Sequence, residues 1–491
     1  MSTPAASPAF LAKWNLTSSC GSSMDPHLLL PLLEFADATL VPLGVFDAVS
    51  VSKARLSLLN SSNMVDYAIE IYDNVKKLSP SSVTDEELKK LKNQRDDVMQ
   101  KMNKLTEGAK PFTEILGDEK RRAKMEEECK WNVKGLKEQG VTEETLETYR
   151  QLAKFQYECG DYETSHFMID EYLSLFVAPS SQGDQAFEDS RQQNPNKDGL
   201  PPAYGLTSLS PTVHAVLWGK LSSLILMARW DEAMVALNAV KYSIEYRSSV
   251  SGPAGLSALR ALKERTWLLH WGLFVFWNNS KKGLDAIIDL YTNEKYMQAI
   301  QTNAPHLLRY LTAAVIVNKR KRLLNELVKI YQHCNYVDPI VQFVDCLYNK
   351  FDFEGAQNRL HDCENVLSTD FFLHNQTGLF MEEARIFIFE NYCRIHQKID
   401  ISTLGEKLAM NPAEAERWIV DLIRNAFLDA KIDSTNNCVV MGHQTKNIYQ
   451  QVIDKTKDLN VRSNNLTNTL RMVVQEAKAD GRKRRDQRSD D

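Results

Sequence analysis

The run DISTLGEKLAMNPAEAERWIVDLIRNAFLDAKIDSTNNCVVMG, residues 400–442, decides the fold. Asp400, Ile401 and Ser402 lead into a short helix carrying Leu404 and Leu408. Asn411 and Pro412 then start a second helix, an N-cap followed by proline at the first helical position, where its missing N–H is of no consequence. Ala415, Trp418, Ile419, Leu422, Ile423 and Ala426 fall at i, i+3, i+4, i+7, i+8 and i+11, which gives that helix one buried face. Leu428 to Asp433 and Cys438 to Met441 are short β-prone runs, and Ser434-Thr435-Asn436-Asn437 joins them as a hairpin wing. Helix, turn, helix and hairpin in that order predict a winged helix.

Many such domains bind DNA, and charge separates those that do. A groove-reading helix needs a basic exposed face to displace counterions from phosphate. Pro412 to Asn425 instead carries Glu414, Glu416 and Asp421 against Arg417 and Arg424. The acidic balance predicts a small domain that meets other protein, although fold alone does not fix function.

Working outward, 491 residues are enough for several domains or one extended helical array. The chain is 43% hydrophobic and 25% charged, and only 20 Gly and 16 Pro favour an all-α architecture over a β-sandwich. A net charge of −5 leaves no nucleic-acid-like field over the body. Eight cysteines without a Cys-x-x-Cys pair point to reduced thiols in a cytosolic or nuclear protein. The start lacks a basic segment before an apolar core, so no signal peptide is expected. Trp267 to Trp277 is the longest apolar run, includes His270, and falls well short of the roughly 20 residues a membrane crossing needs. It reads as a buried helix.

Residues 1–23 are rich in Ser, Ala and Pro and are expected to be flexible, with order beginning near Met24. Residues 24–140 form an N-terminal helical region. Within it Leu88, Leu91, Val98, Met102 and Leu105 make a heptad-like stripe, suited to a neighbouring helix or another chain. Residues 141–396 read as helical hairpins, interrupted by a Pro-, Ser- and Gly-rich loop at 178–211 and a shorter break at 248–255. Three turns share one grammar of aromatic, acid and a small residue: Tyr162-Glu163-x-Ser165, Trp230-Asp231-x-Ala233 and Phe353-Glu354-x-Ala356. The small residue lets the second helix lie close to the first, as in TPR-like solenoids. The winged helix is placed at 397–443.

Beyond it, residues 444–479 read as one long helix. Tyr449, Val452, Thr456, Leu459, Ser463, Leu466, Leu470 and Val473 keep unbroken 3-4 spacing. A lone helix cannot bury such a seam, so it must fold back on its own helical array or enter a multi-helix bundle with partners, and the bundle is expected. Residues 480–491 are a charged tail, in which Arg482, Lys483, Arg484 and Arg485 are the candidate RNA contact or localisation signal.

The sequence nominates no catalytic chemistry. It contains no Gly-x-Gly-x-x-Gly, no phosphate-binding Gly-Lys-Ser/Thr loop, no His-Glu-x-x-His and no Gly-x-Ser-x-Gly. His361 and Cys363 stand at i and i+2 and diverge on a helix. His270 and His306 lie in apolar helices and read as packing residues. No enzyme activity, cofactor, metal, small-molecule substrate or membrane is expected. An interaction scaffold and a winged-helix nucleic-acid-binding regulator remain as the competing classes.

A helical-hairpin array followed by a winged helix and a long helix resembles the PCI family, the scaffold subunits of the proteasome lid, the signalosome and translation initiation factor 3. Particular runs are similar to the e-type subunits of eukaryotic translation initiation factor 3. They include Pro31-Leu32-Leu33-Glu34-Phe35, Asn63-Met64-Val65-Asp66, Lys154 to Gly160, Trp218-Gly219-Lys220-Leu221, Gln298 to Thr302 and Pro305 to Leu311. Glu414 to Val420, Leu428 to Ser434, Val439 to Gly442 and Tyr449 to Ile453 extend the match. Pro26, the long 178–211 insertion, residues 80–140 and the tail after Leu470 depart from the family pattern.

The resemblance implies a right-handed helical-hairpin solenoid closed by a winged helix, and a non-catalytic subunit supporting small-ribosomal-subunit preinitiation complexes and mRNA recruitment. It also implies neighbours among the factor's own subunits c, l and d, contact with the small ribosomal subunit and its rRNA or with mRNA, and a cytoplasmic location with at most a minor nuclear pool. Leu428, Lys431, Ile432, Val439, Val440 and Met441 would form a sheet edge shared between subunits. Tyr449, Val452, Leu459, Leu466, Leu470 and Val473 would supply the bundle face. The proteasome lid and signalosome are the alternative assemblies.

Overall fold

The computed structural model describes residues 7–60, 62–78, 85–128, 130–176, 210–250, 255–334, 336–396, 398–400, 417, 420, 430–433 and 438–441, together with 449–471 except 450, 451, 454 and 458. The chain divides into two compact units, Met1–Phe389 and Glu390–Asp491.

The first unit is helical throughout its described residues. It begins with α1 (Pro8–Trp14), α2 (Thr17–Gly21), α3 (Pro26–Phe35, prolonged by a π-turn at Ala36–Leu40), α4 (Ala48–Asn60), α5 (Val65–Leu78) and α6 (Asp85–Gly117). The expectation of a flexible 1–23 is corrected from residue 7 onward. Ser7 caps α1 and Pro8 occupies its first turn, while Leu11 and Cys20 are buried. Arg309 donates to the Trp14 carbonyl at 2.8 Å, and Trp271 Nε1 donates to the Ser23 carbonyl at 3.3 Å. The Ser- and Pro-rich composition conceals a strap held by distant side chains. Pro26 is accommodated in the first turn of α3 behind the Asp25 cap.

The stripe on α6 packs against its own chain. Leu91 is buried in a core with Leu56, Leu59, Ala68, Ile71, Tyr72 and Val75, and the half-buried Leu88 and Val98 pack against that core. Farther along, α6 meets α9 (Glu143–Cys159) across the expected boundary at 140. A methyl at Gly108 would stand 2.9 Å from Thr148 Cγ2, so any larger residue would force that side chain to shift.

After α7 (Glu119–Glu127), α8 (Val133–Glu138) and α9 come α10 (Tyr162–Ser174), α11 (Pro211–Leu226), α12 (Trp230–Ser249), α13 (Ala258–Asn278), α14 (Ser280–Tyr291), α15 (Glu294–Asn303), α16 (Leu307–Val317), α17 (Lys321–Cys334), α18 (Pro339–Asp345), α19 (Phe353–Thr369) and α20 (Thr377–Ile395). Neighbours pack in succession, α9 on α10, α10 on α11, α11 on α12, α12 on α13 and α13 on α14. The run Leu284 to Ile300, which reads as one helix in sequence, is two. Asn293 caps α15 by accepting from the Lys295 N–H at 3.2 Å, and so ends α14 two residues earlier. The apolar run from Trp267 is the buried half of α13. Among the described residues, no helix is long and apolar enough to cross a membrane.

The three quoted turns are built alike. Tyr162, Trp230 and Phe353 each open a helix, and Ser165, Ala233 and Ala356 are fully buried one turn later. Two residues before each opening stands a left-handed residue, Gly160 (φ 92), Ala228 (φ 57) or Phe351 (φ 51). Lys319 (φ 56) before α17 makes a fourth such turn. Among the described residues, Ala228, Lys319 and Phe351 are the non-glycine residues with positive φ. One left-handed residue ends a helix and one linking residue starts the next, a sharp hairpin corner.

In the second unit, β1 (Lys398–Asp400), β2 (Ala430–Asp433) and β3 (Cys438–Met441) form an antiparallel sheet of order β1-β3-β2. The hairpin expected at 428–441 is present, with Ile432 opposite Val439. β1 departs from the expected reading, in which Asp400 leads directly into a helix. Ile399 also pairs with Val439, so β3 is the central strand. The two helices expected between Ile401 and Asp429 lie outside the described residues, apart from Arg417 and Val420.

Candidate partner-binding surfaces

The sheet can be extended only from its outer strands. β3 pairs on both sides at Cys438, Val439 and Val440, so their backbone is already committed, whereas Met441 pairs with β2 alone. Val439 is fully buried, Cys438 is buried and Val440 is half-buried, which makes them core of the small unit. Lys431 and Ile432 lie on β2, an outer strand of the sheet among the described residues. Leu428 lies outside the described residues.

The C-terminal helix presents the other surface. Every described residue of 449–471 is helical and exposed. Tyr449, Val452, Ile453, Leu459, Val461, Leu466 and Leu470 are 45% to 77% accessible. Thr456 turns its hydroxyl back onto the Val452 carbonyl at 2.7 Å, which satisfies it within the helix and leaves its methyl to the seam. Burying the apolar seam positions Tyr449, Val452, Leu459, Leu466 and Leu470 is worth about 1.5–3 kcal/mol each, on the order of 10 kcal/mol before association costs. Val473 and the basic residues Arg482, Lys483, Arg484 and Arg485 lie outside the described residues.

Polar clusters inside the first unit have structural form. Ser243, His214 and Glu264 are linked like a charge relay, at 2.8 Å from Ser243 Oγ to Nδ1 and 3.0 Å from Nε2 to the carboxylate. Ser243 is wholly buried, so no substrate reaches its hydroxyl. Burial pushes the Glu264 carboxyl up, and hydrogen bonds from His214 and Arg260 outweigh it, leaving the group below its ordinary value. Arg309, also fully buried, donates to Asp338 at 2.9 Å and to Asp370 at 3.1 Å. The sequence reading missed this network. Its signal was a lone arginine inside the apolar run Leu307 to Val317. His270 and His306 face each other across 2.9 Å in the same region, and burial lowers them to about 4 and about 3.

A helical-hairpin array, a small sheet and an uncovered amphipathic helix define a scaffold built for assembly. Comparison with known proteins matches three of its segments to family models. Residues 15–156 match the eIF3 subunit 6 N terminal domain and 360–443 the PCI domain. Residues 447–467 match the C-terminal domain of the E-type subunits of eukaryotic translation initiation factor 3. The E-type subunit of Arabidopsis thaliana is 36% identical over 472 residues, covering 93% of this chain and 96% of its own. That of Bombyx mori is 38% identical over 471 residues, covering 94% and 95%. That of Aspergillus clavatus is 36% identical over 457 residues, covering 91% and 90%. The chain is therefore a PCI-domain protein. It belongs to the family of E-type subunits of eukaryotic translation initiation factor 3.

Proposed function

We propose that the chain is a non-catalytic scaffold subunit of translation initiation factor 3 that acts in the cytoplasm by holding other subunits together. The observation that carries this reading is the bare apolar seam of residues 449–471, which coincides with the matched C-terminal family segment 447–467. Exposed apolar surface of that extent marks a protein interface.

In this reading α9 to α20 form a right-handed TPR-like solenoid and 397–443 a winged helix. The repeated left-handed corner and the β1-β3-β2 order support those assignments. An outer strand of the sheet, β2, pairs with a neighbouring PCI subunit and the seam enters a bundle, with subunits c and l as neighbours and d as a further partner. The assembled factor supports the small-ribosomal-subunit preinitiation complex and mRNA recruitment, and Arg482 to Arg485 supply a local RNA contact. The acidic balance of residues 412–425 disfavours a nucleic-acid regulator.

Affinity purification of the tagged chain followed by mass spectrometry tests this reading. The expected companions are initiation factor 3 subunits. Recovery of proteasome-lid or signalosome subunits in their place would overturn it.

A further inference from the structure

We propose that Cys20, His270 and His306 form a zinc site that pins the amino-terminal strap to the helical array. The three residues come from distant parts of the sequence, α2, α13 and the residue preceding α16, yet one donor atom of each lies within 4.8 Å of the other two. His270 Nδ1–H donates to the Thr266 carbonyl at 2.7 Å. That bond fixes the tautomer and turns the Nε2 lone pair toward His306 Nε2, 2.9 Å away. A backbone carbonyl orienting an imidazole in this way is the usual outer support of a metal ligand.

Tetrahedral zinc requires nitrogens about 3.3 Å apart and sulfur about 3.6 Å from each, given its bond lengths. The histidines must part by a few tenths of an ångström and the sulfur must close in, motions within reach of side-chain torsions. The three side chains supply three donors, and water would take the fourth position. Thiolate with two imidazoles selects zinc over magnesium or calcium. On binding, the Cys20 S–H bond breaks, a sulfur–zinc bond forms and the proton leaves to solvent. His306 is only half-buried and provides the way in.

The test uses the full-length chain, metal analysis after dialysis, and substitution with cobalt. Wild type should retain zinc and, with cobalt, show a thiolate-to-metal charge-transfer band. Cys20→Ser should lose both, as should His306→Gln, and added zinc should raise the melting temperature of wild type alone. A zinc-free wild type that gives no charge-transfer band with excess cobalt overturns the proposal. Retention of metal and band by Cys20→Ser does so equally.

Discussion

Arg309 holds four parts of the chain at one guanidinium: its own helix α16, the α18 cap Asp338, Asp370 after α19, and the strap through the Trp14 carbonyl. Burial pushes the Asp370 carboxyl above its ordinary value even though Arg309, the Phe372 N–H and the Tyr310 hydroxyl pull it down. Arg309→Met would leave both carboxylates buried and uncompensated, at an expected cost of about 3–5 kcal/mol. Denaturant unfolding checks this, and a loss below about 1 kcal/mol would show the network to be marginal. A second residue sets a pH dependence. Burial lowers His27 from 6.5, with Asp25 and Glu158 acting in the opposite direction. As pH falls, the unfolded chain takes up this proton before the folded one, so the contribution is complete above about pH 6.5 and is lost below it. Melting temperatures across that range should fall on acidification, and His27→Gln should make the fall less steep, with His166, His270 and His306, also lowered by burial, carrying the rest.

At the scale of elements, the hairpin corners carry the argument. Ala228 is exposed and held at φ 57, a conformation costing a non-glycine residue about 1–2 kcal/mol. Ala228→Gly should therefore raise stability by up to about 1 kcal/mol, and a decrease in thermal midpoint would argue against the strain. Ala233, fully buried one turn into α12, should resist enlargement. Ala233→Leu is expected to cost about 1–3 kcal/mol by overpacking, measured the same way. The aromatic-acid-small pattern made three of these corners legible in the sequence. The corner at Lys319 was invisible because Lys321 and Leu324 take the places of the aromatic and the small residue. Backbone φ leaves no mark in composition when alanine, lysine or phenylalanine adopts it. The hairpin at 430–441 was readable from β-prone runs, whereas β1 was not. Three residues of extended chain acquire their meaning from a partner strand some forty residues away. The strap was misjudged for a related reason, because what orders it is distant in sequence.

For the whole molecule, the two candidate surfaces differ in how far their residues were legible. The seam from Tyr449 to Leu470 was visible as a period, and its described positions are uncovered. In the sheet, by contrast, the β3 residues expected to make contact lie in the central strand, and β1 and β2 are the outer strands among the described residues. Assembly through the seam is thus the central claim, and replacing Leu459 and Leu466 together with Asp addresses it most directly. Co-purification of initiation factor 3 subunits with the tagged double variant should fall to background, while circular dichroism and thermal melting of the chain itself stay at wild-type values. Recovery of those subunits at wild-type yield would contradict the account.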